Sequence, residues 1–396
     1  MEPDIDRAAA AQVRSPSPML LAVAGSATVA TAFGMARYGY GLLLPDIQDD
    51  LVLGVGTLGV IGTLAYLSYL LGTALVTRCV VGVGQRATVV GGGLLAVAGT
   101  VVVAVAGGPV LLGVGVAVAG ASAGLVFAPF GDAVRLLPPV ARARTLATIS
   151  CGTGWGVAVA APIAVLAGDA WRTAYLGFAA CAALSTLLAA RTLPARTATS
   201  HDDATARAPG RGRTPMLVAA LLIGLGSATF WTFAVDQVRD AGLDQTAGRI
   251  VLGVAGVTSL SGLAAAEVIT RLGARRTFVF TAVLEAAAIS TIAVAPDRLA
   301  AVLIAAAAFG VAYNTIVAVS VLWATRIYGD RPSAGVAAAT GAQGVGLLVG
   351  PLTSGILAET TDLTTALLVG AAIVGVAAFL APRSDVVHDQ GGPTRT

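Results

Sequence analysis

The sequence is a succession of apolar runs, each about as long as a bilayer is thick. This repetition limits the possible folds more than any other feature. A helix needs about 20 mostly apolar residues to cross the hydrocarbon. Six such runs lie at 19–44, 58–77, 88–106, 110–130, 145–167 and 173–190, and six more at 216–235, 248–269, 278–295, 299–325, 335–358 and 364–380. Charged residues make up only 11% of the chain, against about 25% in soluble proteins. So few charges cannot coat a water-soluble surface, and no amphipathic surface between the runs would solvate buried helices. The pattern selects an all-α membrane protein of about twelve transmembrane helices, with the lipid bilayer as its solvent.

One long polar stretch interrupts the pattern. Residues 191–215 hold Arg191, Arg196, Arg207, Arg211 and Arg213, the acids Asp202 and Asp203, and three prolines. Such a composition does not pack and reads as a linker. It separates two six-helix bundles, 19–190 and 216–381, flanked by tails at 1–18 and 382–396. The first 18 residues lack the basic start of a signal peptide, so the first run is read as a retained helix. With the N-terminus inside, 19 arginines fall in cytoplasmic loops, linker and tails. Only 4 fall opposite (Arg172, Arg239, Arg249 and Arg298), and Arg37 lies inside a helix. Positive charge marks the cytoplasmic side, so both termini and the linker are expected there.

Several chemistries are excluded. The arginines sit at segment ends rather than in one patch, which argues against nucleic acid. The histidines, His201 and His388, fall in the linker and the tail, which removes most metal and Ser/His schemes. No phosphate-cradling loop is present, so ATP-driven transport by this chain alone is not expected. Cys79, Cys151 and Cys181 lack CxxC spacing and read as buried thiols. The expectation is a non-enzyme without cofactor or metal.

The halves repeat each other. A shift of 189 positions places Gly84 on Gly273, Arg86 on Arg275, Arg142 on Arg331, Gly152 on Gly341 and Pro162 on Pro351, without a gap. Six helices per unit make the two copies parallel.

Two motifs sit at matching places in these copies. The loop after the second run of the second half leads from Gly262 through Thr270-Arg271-Leu272-Gly273-Ala274-Arg275-Arg276; its counterpart is Val81-Gly82-Val83-Gly84-Gln85-Arg86. The fifth runs carry Gly152, Gly154, Gly156 and Pro162, and Gly341, Gly346, Gly350-Pro351 and Gly355. Small residues let helix backbones approach, and proline kinks the helix. In these features the chain, from Met19 to Leu380, resembles the major facilitator superfamily (MFS) of secondary transporters. The run Arg37-Tyr38-Gly39-Tyr40 to Leu43-Leu44-Pro45 resembles a bacterial branch near the cyanate-type permeases. The resemblance implies helices one, four, seven and ten around a central cavity, and fifth helices packed between the halves. It also implies a conformational latch at Gly84, Arg86, Glu267, Arg271, Gly273 and Arg275. Both copies depart from the latch motif in lacking its Asp, and Glu267, at i,i+4 from Arg271, can supply that carboxylate. The fourth helix also lacks the arginine common in drug–proton antiporters of the superfamily.

Arg37 is the sharpest candidate for substrate binding. It lies eight positions before Pro45, about 12 Å of helix, where a charge costs at least ~2.5–3.5 kcal/mol. Phe33, Arg37 and Tyr40 share a face at helical spacing, and no acid is expected inside helices one, two, four, five, seven, ten or eleven. Arg37 therefore meets an anionic substrate group, bidentate if a carboxylate, or else it snorkels or caps backbone carbonyls. Tyr38, Tyr40, Tyr66, Tyr69, Phe230, Trp231, Tyr313, Asn314 and Gln343 are further candidates, by hydrogen bonding or aromatic contact, or they are packing residues. Glu285, mid-membrane, is a candidate for proton coupling or a hydrogen-bonded structural residue. Asp132 is expected to pair with Arg135 at i,i+3.

The function expected is secondary transport of a small organic solute, anionic or aromatic, by a monomer using alternating access and protons. A drug or metabolite efflux pump of the same superfamily and a non-transporting membrane sensor are the alternatives.

Overall fold

In the computed structural model of the chain, residues 17–194, 212–328 and 332–382 are described. Arg196, His201, Arg207, Arg211, Arg331, His388 and most of both tails lie outside them. Twelve described helices are long and apolar enough to span a bilayer. In the first half they are α1 Pro18–Arg37, α2 Val55–Val76, α3 Gln85–Ala104, α4 Pro109–Val134, α5 Arg144–Ala167 and α6 Trp171–Thr192. In the second half they are α7 Arg213–Asp240, α8 Gln245–Ala264, α9 Ala274–Val294, α10 Leu299–Ile327, α11 Gly335–Thr360 and α12 Leu363–Leu380. Leu184, Ile304 and Phe280 point outward, as lipid-facing side chains do.

The two halves are built alike. In the first, α1 packs on α5, α2 on α4, α3 on α4 and α3 on α6; in the second, the matching pairs are α7 on α11, α8 on α10, α9 on α10 and α9 on α12. Gly84 and Gly273, equivalent in the repeat, both take left-handed backbone, at φ 92° and 82°. Gly84 ends the helical segment that runs on from α2 to Val83, and Gly273 ends the short helix Ala265–Leu272 after α8, where other side chains would be strained. Pro162 and Pro351 both lie inside the fifth helices.

The fifth helices pack across the interface, α5 against α8 and α11 against α2. Glycine makes these crossings close: a Cβ on Gly256 would meet the Ala158 nitrogen at 2.8 Å, and one on Gly355 would meet the Gly59 Cα at 3.1 Å. A Cβ on Gly350 would meet Ala228 and the Leu225 carbonyl, so this residue seats α11 on α7 within the second half. In the first half α1 crosses α5 so tightly that a Cβ on Gly34 would strike the Gly156 backbone.

Two features depart from the sequence expectations. Residues Ala30–Arg37 form a π-helix, the chain breaks at Tyr38, and short helices follow at Gly39–Leu42 and Leu44–Leu51. The helical spacing that put Tyr40 beside Arg37 therefore does not hold. Second, α7 continues past residue 235 to Asp240, because a helix carries polar residues at the bilayer surface without penalty until a glycine, here Gly242 at φ 91°, ends it. Asp236 thereby lies inside helix seven, Glu359 inside helix eleven and Asp132 inside the longer helix four, correcting the expectation that those helices hold no acid.

Candidate functional site

A cavity of about 1690 Å³ lies between the halves. Its inner end is bounded by Phe33, Arg37, Tyr38, Tyr69, Tyr313 and Gln343, and its mouth by Arg271, Arg275, Arg276 and Arg326. The mouth therefore opens on the arginine-rich side, and the opposite side is closed.

Arg37 is only 5% exposed, so it does not snorkel to the surface. Its guanidinium carbon lies 4.3 Å from the Tyr66 and Tyr69 ring centroids, 5.2 Å from Tyr38 and 5.7 Å from Phe33. Aromatic faces attract the cation, but Nε and Nη2 have no hydrogen-bond partner. No ion pair to Arg37 is present among the described residues.

The structure brings some of the sequence candidates together and separates others. Arg37, Tyr38, Tyr313, Asn314 and Gln343 line the cavity. Trp231 sits just behind, its ring 4.4 Å from Tyr38 and 5.6 Å from Tyr313, so it joins the halves. Phe230 stacks on Phe309 at 3.6 Å inside the second half, away from the cavity. Tyr40 lies towards the closed side and donates to the Leu58 carbonyl at 2.8 Å. Glu285 is fully buried in the second half, where Ser227 donates to it, and does not line the cavity. At the mouth, Arg271 donates to Glu267 at 2.6 Å, the pairing read from their spacing. Asp132 and Arg135 approach to 4.0 Å.

Residues that the sequence placed in outer loops close the far side. Asp46 and Arg249, with side chains 4% and 1% exposed, form an ion pair at 3.0 Å between the halves. Arg249 also donates to the Ala164 and Gly168 carbonyls of the first half at 2.7 and 2.8 Å. Arg239 pairs with Asp49 in a second link between halves. Burial pushes the Asp46 carboxyl above its ordinary range, against the opposing hydrogen bond and charge of Arg249. A signal for Arg249 existed: it lies within the apolar run 248–269, where a charge stands out by contrast. Asp236 carried no such signal, because the apolar run stops one residue before it; it is 4% exposed and its Oδ2 has no partner.

Twelve spans in two repeated bundles, enclosing a cavity open on one side, define a transporter of the major facilitator fold. The chain belongs to the family described as uncharacterised MFS-type transporter YbfB, which matches residues 29–382. It is 30% identical over 275 residues to a chloramphenicol resistance protein of Streptomyces lividans, covering 66% of this chain and 68% of that protein. Among solved structures it is similar to the nucleoside transporter NupG, with TM-score 0.71, 13% identity and coverage of 91% of this chain and 97% of that one. It is also similar to a D-xylose-proton symporter, with TM-score 0.75, 13% identity and coverage of 93% and 99%. At such identities the likeness is one of fold. Family and fold make the chain a membrane transporter and not an enzyme.

Proposed function

We propose that this transporter moves a small organic solute, anionic or aromatic, across the plasma (inner) membrane of a bacterial cell by alternating access. The units 19–190 and 216–381 rock about the cavity, the 191–215 linker and both termini are cytoplasmic, a monomer suffices, and a proton gradient supplies the bias. One observation carries the reading: Arg37, a buried cation without an acid partner, sits at the inner end of a cavity open to the arginine-rich side. An unpaired charge at that depth is costly unless a ligand meets it. Glu285 is the candidate proton carrier.

The test is flux into vesicles reconstituted with the full chain, over a metabolite and drug panel, with and without a pH gradient. Saturable, gradient-dependent flux of one solute, lost in Arg37→Gln, is expected. Flux that is non-saturable and gradient-independent overturns the coupled-carrier reading, and ligand binding without flux points to a sensor. A second reading, drug or metabolite efflux, is supported by the similarity to the chloramphenicol resistance protein. Uphill export from energised cells distinguishes it from uptake.

A further inference from the structure

The inner end of the cavity holds several buried N–H donors without partners. Arg37 contributes Nε–H and Nη2–H from α1 and Gln343 contributes Nε2–H from α11, and just behind them Trp231 of α7 carries an Nε1–H; all four groups lack partners. The three residues are 5%, 9% and 3% exposed. Buried N–H groups in native structures are otherwise nearly always paired. They also converge. Gly344, next to Gln343, packs on Leu70, where a Cβ would lie 3.8 Å from the Tyr69 ring, and Leu347, one turn on, clusters with Tyr66; these two rings flank Arg37. Trp231 reaches Arg37 through Tyr38.

Tyr66 and Tyr69 occupy positions over the guanidinium, and the edge carrying Nε–H and Nη2–H is left unpaired. That edge matches the two oxygens of a carboxylate. Among the described residues no second cation lies at this end, as Arg271, Arg275, Arg276 and Arg326 are at the mouth. One positive charge in a desolvated site balances one negative charge and leaves a second uncompensated. The neighbouring wall consists of the faces or edges of Phe33, Tyr38, Tyr69 and Tyr313, suited to a flat body.

We propose that the site takes a monocarboxylate with a planar aromatic body, its carboxylate held by Arg37 of the first half and Gln343 of the second. The ligand is then itself a bond between the two halves. This rests on the transport reading for its role, but its test needs no flux.

The test is calorimetric titration of the purified full chain in detergent with benzoate, benzamide, cyclohexanecarboxylate and phthalate. Benzoate is expected to bind saturably, and each of the other three at least tenfold more weakly. Arg37→Gln and Gln343→Ala are each expected to weaken benzoate at least tenfold and threefold, with Arg37→Lys in between Arg37→Gln and the parent. Size-exclusion elution and melting temperature show whether each variant is folded, and Arg37→Lys keeps the test decisive if Arg37→Gln does not fold. Equal affinity for benzoate and benzamide, unchanged benzoate affinity in the Arg37 variants, or no carboxylate binding overturns the proposal. Equal affinity for cyclohexanecarboxylate overturns the planar body, and equal affinity for phthalate overturns the single charge. Benzoate binding without flux in vesicles sinks the transport reading and leaves the site standing.

Discussion

At the residue scale, buried polar groups fall into those that the protein satisfies and those that it does not. Hydroxyls are satisfied locally: Thr28, Thr100 and Ser259 donate to carbonyls one turn back at 2.8, 2.7 and 2.7 Å. Asp236 is different. Its Oδ2 is unpaired on a residue 4% exposed, beside an interface that the outer pairs close. An unsatisfied buried carboxylate costs more than a neutral amide of the same shape. Asp236→Asn is therefore expected to raise the melting temperature in detergent by roughly 2 °C or more; a fall would show that the carboxylate is compensated. The same physics explains why the sequence drew attention to Arg37 and not to Asp236. A charge inside an apolar run is visible by contrast, whereas a charge one residue beyond the run's end looks like the start of a loop.

At the element scale, the crossings and the outer closure carry the mechanics. The α1–α5 crossing depends on Gly34 and Gly156 facing each other without side chains. Gly156→Val forces the backbones apart and is expected to destabilise by about 1–3 kcal/mol, read as a lower melting temperature. The short helix Leu44–Leu51 brings Asp46 to Arg249 of α8. Removing one partner of a buried pair leaves a charge uncompensated, at about 3–5 kcal/mol. Arg249→Ala is thus expected to open the closed side, seen in detergent as faster labelling by a water-soluble thiol reagent of a cysteine at Thr232, an α7 residue that is 4% exposed. No change in labelling would show that the pair does not hold the closure. The pair also gives a sign for pH. The Asp46 carboxyl is raised by burial when closed and returns towards its ordinary value, about 4, once water enters. The closed form thus binds the proton more tightly. Lowering the pH through the interval between the two values favours closure, and raising it favours opening. Spin labels at Val52, which ends the short helix Leu44–Leu51, and at Leu243, between α7 and α8, are expected to lie closer together in the closed form and to show more of that shorter distance as pH falls, and Asp46→Asn to remove that dependence.

At the scale of the whole molecule, the architecture was legible because lipid demands it. Run lengths give twelve spans, the shift of 189 positions gives two copies, and both reappear as matching helix pairs. The cavity's polar end was partly legible, in Arg37, Tyr38, Tyr313, Asn314 and Gln343. Phe230 could not be told from Trp231 by sequence, since adjacent residues on a helix point about 100° apart and only packing decides which faces the partner half. The outer pairs were hidden for another reason: Asp46 and Arg249 are 203 positions apart, and nothing local to either announces the other.

The arginines that define the mouth have one more consequence. Arg271, Arg275, Arg276 and Arg326 from the second half line the mouth, and the first-half segments at the same end of the bundle carry Arg78, Arg86, Arg135, Arg142 and Arg144. Closing that mouth crowds two rims of the same sign, and mobile ions screen such repulsion over about 8 Å at physiological ionic strength. The balance between the two faces of this carrier is therefore tuned by the salt of the compartment into which it opens, with dilute buffer holding the mouth apart and concentrated buffer releasing it.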